Sequence, residues 1–102
     1  MANLIWSENA VTDLEDIYDF IAKDSPFYAK AQVDKIVNSV ERLRLFPESG
    51  RHIPGFSYFP HREVIVGNYR VIYRFDSNSD EVKMITVLHG SRLLREYHLS
   101  DE

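Results

Sequence analysis

Apolar residues at Ala10, Leu14, Ile17 and Ile21 recur at spacings of four, three and four, which puts them on one face of a helix. Before them, Asn3 to Trp6 is a short apolar stretch that reads as an edge strand. Ser7 stands at the N-cap position, and Glu8 and Asp13 suit the positive end of the helix dipole. Asp24-Ser25-Pro26 stops this helix and starts another, with Ser25 capping and Pro26 at the first helical position. Ala29, Val33, Ile36, Val37, Val40 and Leu43 carry the second helix for about five turns. So short a connection folds the two helices into an antiparallel hairpin.

Pro47 and Gly50, in Phe46-Pro47-Glu48-Ser49-Gly50-Arg51, end the second helix. From Arg62 the period changes to two. Arg62 to Val66 and Tyr69 to Phe75 flank Gly67-Asn68, a loop suited to a tight hairpin turn. Residues 76–80 are a polar turn, a third strand runs from about Val82 to Leu88, and Ser91 to His98 is a short helix or an extended tail. The expected class is α+β: an N-terminal strand, an antiparallel helical hairpin, then a three-stranded antiparallel meander, with the helices on one face of the sheet. A single domain over residues 1–102 is expected.

Alternation gives the central strand two faces. Tyr69, Val71, Tyr73 and Phe75 share one, which should pack on the helices; Arg70, Ile72 and Arg74 share the other, left toward solvent or a ligand. With Gly67-Asn68 as the loop, Val66 lies opposite Tyr69, Ile65 opposite Arg70 and Glu63 opposite Ile72. Glu63 is then diagonal to Arg70 and Arg74. A solvated cross-strand ion pair is the favoured reading of that trio. A catalytic base between phosphate-binding arginines is the lesser one.

Composition removes several classes of function. The balance of 44% hydrophobic and 27% charged residues is that of a globular chain. The absence of cysteine excludes disulfides and thiol chemistry. The start lacks a signal-peptide pattern, and no apolar run approaches the roughly 20 residues of a membrane span, so the cytoplasm is expected and no membrane contact. His52, His61 and His98 show no metal-ligand spacing, so neither metal nor cofactor is expected.

Charge is uneven. Lys23, Lys30, Lys35 and Arg42 face eight carboxylates in residues 1–43, whereas residues 44–102 hold eight of each sign, with every histidine and a single lysine, Lys83. A net −4 argues against a general nucleic-acid coat.

In order and spacing, these pieces resemble the RelE/ParE toxin superfamily of type II toxin–antitoxin systems, from Trp6 to about Leu94. The resemblance rests on Trp6-Ser7-Glu8-Asn9-Ala10, Asp13-Leu14-Glu15-Asp16-Ile17, Asp24-Ser25-Pro26 and the break from Phe46 to Arg51. It also rests on the hairpin Arg62-Glu63-Val64 to Tyr69-Arg70-Val71-Ile72-Tyr73-Arg74 and the close Val87-Leu88-His89-Gly90-Ser91-Arg92. The close and the break look nearer to the ParE and plasmid stabilisation branch. The resemblance implies a toxin neutralised by a cognate antitoxin in a hetero-oligomer. ParE-like members poison DNA gyrase. RelE-like members cleave mRNA in the ribosome without a metal, using basic residues of the sheet, sometimes with a Glu, His or Tyr. An inactive module that only binds antitoxin is the third possibility. One lysine in the strand half is a weak outfit for a ribosome-bound nuclease, which needs many phosphate contacts. Gyrase is therefore the first expectation and mRNA cleavage the alternative.

The resemblance places its recurrent strand arginine at Arg70. Glu63, His89 and Arg92 complete the candidate set, each with a plainer reading: an ion-pair partner, a hydrogen-bonded strand end and a strand cap. Arg74, nearer the strand end, is expected to be solvated. Arg51 is expected to pair with the acidic helices, whose Asp13, Glu15 and Asp16 read as a solvated surface. Trp6, Tyr69 and Tyr73 are expected in the core.

Overall fold

A computed structural model describes residues 1–100. The chain runs β1 (Asn3–Trp6), α1 (Glu8–Ala22), α2 (Pro26–Ser39), a 3-10 turn (Glu41–Arg44), β2 (Arg51–His52), β3 (Arg62–Val66), β4 (Tyr69–Asp76), β5 (Glu81–His89) and a second 3-10 turn (Glu96–Leu99). The five strands form one sheet in the order β1-β5-β4-β3-β2. The expected meander β3-β4-β5 is antiparallel, and the hairpin register is the one alternation gave, with Val66 opposite Tyr69 and Glu63 opposite Ile72. The expected edge strand and one strand that was not expected flank it. β1 pairs in parallel with β5, making the sheet mixed, and the two-residue β2 pairs with β3.

Local chemistry accounts for the element boundaries. Ser7 accepts the Ala10 N–H at 3.0 Å and Ser25 accepts the Tyr28 N–H at 3.2 Å, with Pro26 opening α2. The second helix ends sooner than its apolar period implies: the α-helix stops at Ser39, and Glu41–Arg44 tightens to a 3-10 turn that still buries Leu43. At the hairpin, Gly67 has φ +58°, which a glycine reaches without steric cost at the first loop position.

One face of the sheet packs on the helices as expected. Ile36, Val40 and Leu43 meet Val71, Tyr73, Val82, Met84 and Val87, with Tyr69 and Trp6 partly buried beside them. In β5, Val82 and Met84 lie on that face, and so does Val87, three residues on. A bulge between the pairs Tyr73–Met84 and Ile72–Thr86 leaves Ile85 unpaired and restores the face.

The other face departs from expectation. Instead of lying open, its centre is covered: Ile72, wholly buried between Arg70 and Arg74, packs with Ile53, Leu88, Leu94 and Leu99, with Phe56 and Phe59 against them. An apolar side chain on a strand face drives a cover to form, and the loop after β2 and the C-terminal segment supply it.

Asp13 is also placed differently. Its Oδ2 accepts from the Thr86 hydroxyl (2.6 Å) and the Val87 N–H (2.9 Å), while Ser7 and Asn9 donate to the Ile85 carbonyl. β1 accompanies β5 only to Met84, and beyond it the start of α1 satisfies the strand edge. Asp13 is therefore a structural clamp rather than a solvated charge.

The break before β2 is fastened by Tyr73. Its hydroxyl donates to the Pro47 carbonyl (2.8 Å) and accepts the Gly50 N–H (2.9 Å). Burial raises the Tyr73 phenol above its ordinary value of 10.0, so the group stays protonated and can donate. A Cβ at Gly50 would fall 2.5 Å from the Tyr73 hydroxyl and 2.9 Å from the Glu63 carbonyl oxygen. Gly50→Ala is expected to cost about 1–3 kcal/mol in urea unfolding. A midpoint equal to that of the parent chain would refute the packing argument.

Among the described residues no helix is long and apolar enough to cross a membrane, and no group of three or more His, Cys, Asp or Glu is placed to hold a metal.

Candidate functional site

A cleft of about 650 Å³ lies at the end of the sheet where the β3-β4 turn meets the end of β5. Arg51, Arg70, His89 and Arg92 line it, over an apolar floor that includes Phe56, Ile65 and Leu94. Three of the four candidate residues are thus brought to one cleft. Glu63 lies beneath it.

Glu63 is 1% exposed. Arg70 donates to its Oε1 from Nε at 2.8 Å, with Nη2 at 2.6 Å, and Arg51 Nε donates to its Oε2. Both oxygens therefore carry guanidinium partners. The solvated trio expected at Glu63 becomes a buried pair of ion pairs, and Arg51, expected against the acidic helices, supplies the second of them. Arg70 is itself largely covered, its side chain 16% exposed against 60% for Arg51. Arg62 secures the same corner from the next strand position, donating to the Gly50 carbonyl at 3.0 Å.

His89 and Arg70 reach the cleft from opposite sheet faces. Arg70 pairs with Leu88, whereas His89 pairs with Tyr69, and their rings meet edge to face at 5.4 Å. The bulge at Ile85 produces this, because without it His89 would share the face of Leu88's partners. His89 Nδ1 accepts the Ser91 N–H at 3.1 Å and contacts the Ser91 hydroxyl at 2.6 Å. An Nδ1 that accepts leaves the neutral ring's proton on Nε2. Within the cleft His89 is then a donor.

The arrangement presents guanidinium and imidazole N–H groups to an incoming molecule. It can bind carboxylates, phosphates or carbonyl oxygens through charge-assisted hydrogen bonds.

Sequence reasoning missed Arg51, which only the pairing of a two-residue strand brings beside Glu63. It also missed the cover over the arginine face. A signal for the cover existed: Ile72 between two arginines, with Phe56, Phe59, Leu94 and Leu99 unassigned in loop segments.

The geometry can be set beside known proteins. Residues 4–94 match the family described as ParE toxin of type II toxin-antitoxin system, parDE. The chain is 34% identical over 87 residues to a putative toxin, Y4kP, of Sinorhizobium fredii, spanning 83% of this chain and 84% of that one. It is 29% identical over 93 residues to toxin RelE2 of Caulobacter vibrioides, covering 91% of this chain and all of the relative. Among solved structures, a chain of the chromosomal ParDE system from P. aeruginosa superposes with a TM-score of 0.72 at 22% identity, over 87% of this chain and 96% of that one. The isolated E. coli RelE toxin gives 0.56 at 16%, over 97% and 93%. At these identities the structural likeness speaks for the fold.

Proposed function

Since this chain belongs to the ParE toxin family of type II toxin–antitoxin systems, we propose that it arrests growth by binding DNA gyrase through the arginine cleft and is neutralised in the cytoplasm by a cognate antitoxin. The observation that carries the choice of target is the state of Glu63. Strand-scission of RNA without a metal needs a group that removes the 2′-hydroxyl proton. Glu63, the carboxylate under the cleft, has both oxygens occupied by Arg51 and Arg70. His89 offers Nε2–H, a donor. A cleft of donors grips a partner's oxygens and is poorly equipped to take a proton. In this reading Arg70 and Arg92 contact the partner, Glu63 holds Arg70 in place, and His89 shapes the cleft rim.

The likeness to a relative named toxin RelE2 over that protein's full length supports ribosome-dependent mRNA cleavage as the second reading. The two separate in one experiment. Purified chain should abolish supercoiling of relaxed plasmid by gyrase, added antitoxin should restore it, and mRNA on programmed ribosomes should remain intact. Arg92→Ala should weaken the inhibition at least about tenfold, as loss of an interface arginine does. Unimpaired supercoiling together with cleaved mRNA would transfer the function to the ribosome. Unimpaired growth on expression without the antitoxin would leave only an antitoxin-binding module.

A further inference from the structure

The C-terminal segment 92–99 lies across the sheet as a strap. Leu94 and Leu99 bury on Ile53, Ile72 and Leu88, and Leu94 and Arg92 also form one wall of the cleft. His98 sits between the apolar anchors, 8% exposed. Its Nδ1 accepts the Arg95 N–H at 2.8 Å, closing the final 3-10 turn. The neutral ring's proton is then on Nε2, a buried atom with no hydrogen-bond partner among the described residues.

We propose that His98 is a pH-operated latch, whose protonation frees the strap and dissolves the cleft wall that Leu94 and Arg92 provide. A second proton must go to Nδ1, the atom that accepts the Arg95 N–H. Two donors would then face each other, and the turn would lose its closure. The surroundings also oppose a cation. Arg92 and Arg95 approach from the strap, while α1 presents Asp13 and the uncharged Asn9, and β5 presents Thr86 and Leu88. Asp13 favours the charged ring, but its Oδ2 is already bonded to Thr86 and Val87. Within the turn, Glu96 accepts the Tyr58 hydroxyl at 2.9 Å, and the Tyr97 ring lies 4.3 Å from that of His98. Burial first, then Arg92, lower the His98 pKa from its ordinary 6.5. The docked strap therefore binds fewer protons than the free one. Docking is complete above pH 6.5 and weakens as pH falls below it.

The consequence for target binding rests on the cleft reading above, whereas the motion of the strap does not, so the two are measured apart. The full chain is followed by NMR from about pH 7.5 to about pH 5, reading the His98 ring and the hydrogen-exchange protection of Arg95 and Leu99, corrected for intrinsic rates. Protection should fall by up to about tenfold per pH unit once the ring of the released strap binds its proton. In His98→Asn, whose amide oxygen can accept the Arg95 N–H without titrating, protection should stay level. Equal loss in both chains would overturn the latch, as would level protection in the parent chain or a His98 midpoint at or above 6.5. If His98→Asn does not fold, the parent chain decides: protection must fall through the interval between pH 6.5 and the lower His98 midpoint, and a loss confined to pH values below that midpoint would overturn the latch. Gyrase inhibition across the same pH range is scored separately, so its failure bears on the cleft alone.

Discussion

Glu63→Ala should destabilise the fold by about 3–5 kcal/mol, the cost of removing one member of a buried ion pair and stranding the other. The expectation follows from where the charges sit. Glu63 has no exposed side-chain surface and Arg70 has little, so the Arg70 guanidinium would stay under cover without its carboxylate. Arg51, largely in solvent, would turn to water at small cost. Glu63→Gln keeps the shape and one acceptor and should cost less. Replacing Glu63 and Arg70 together by leucine should recover much of the loss, since a well-packed apolar pair can substitute for a buried ionic one. Urea denaturation of the four chains measures this directly. If Glu63→Ala falls within about 1 kcal/mol of the parent, the pair is solvated, and the argument against Glu63 as a proton acceptor loses its basis.

Ile72→Ala tests the covered face in the same way, with an expected loss of about 2–5 kcal/mol. Were the arginine face open, the same change would stay within about 0.5 kcal/mol, as exposed substitutions do. In the structure the Ile72 side chain is wholly enclosed by a second core shared by Ile53, Leu88, Leu94 and Leu99. The cavity left by three carbons would border both the loop after β2 and the strap. Limited proteolysis should therefore cut residues 92–99 faster in Ile72→Ala than in the parent chain. An unchanged midpoint and an unchanged cleavage rate would mean that the cover contributes nothing.

Both experiments concern a face that alternation alone assigned to solvent. Periodicity of two correctly put Tyr69, Val71, Tyr73 and Phe75 toward the helices, because a pleated strand leaves no other choice. It also correctly grouped Arg70 with Ile72 and Arg74. What lies over that group depends on segments with no period of their own, 53–61 and 92–99, whose apolar residues find Ile72 only once the sheet exists.

The candidate cleft was legible to a similar depth. Arg70, His89 and Arg92 were named from the resemblance, and they do line one cleft. Their orientation was not readable. A single unpaired residue, Ile85, reverses the face of everything after it in β5, so His89 joins Tyr69 and not Arg70. A bulge of this kind is decided by which side chains the two cores accept, and the local sequence around Met84-Ile85-Thr86 carries no glycine or proline to announce it.

By itself, then, the sequence determined what short-range physics controls: the helical hairpin with its Ser7 and Ser25 caps, the turn at Gly67-Asn68, the register of the β3-β4 hairpin and the helix-facing side of β4. Capping, turn geometry and side-chain period act within a few residues, so they can be read off the chain. Only the tertiary structure decided the parallel seat of β1, the clamp from Asp13 to the β5 edge, the union of Arg51 and Arg70 on Glu63, and the strap held by His98. Each of those joins groups far apart in the chain, or across a strand whose facing had shifted. Their cause is the demand that buried polar groups find partners and apolar ones find cover, a demand that arises when the sheet closes.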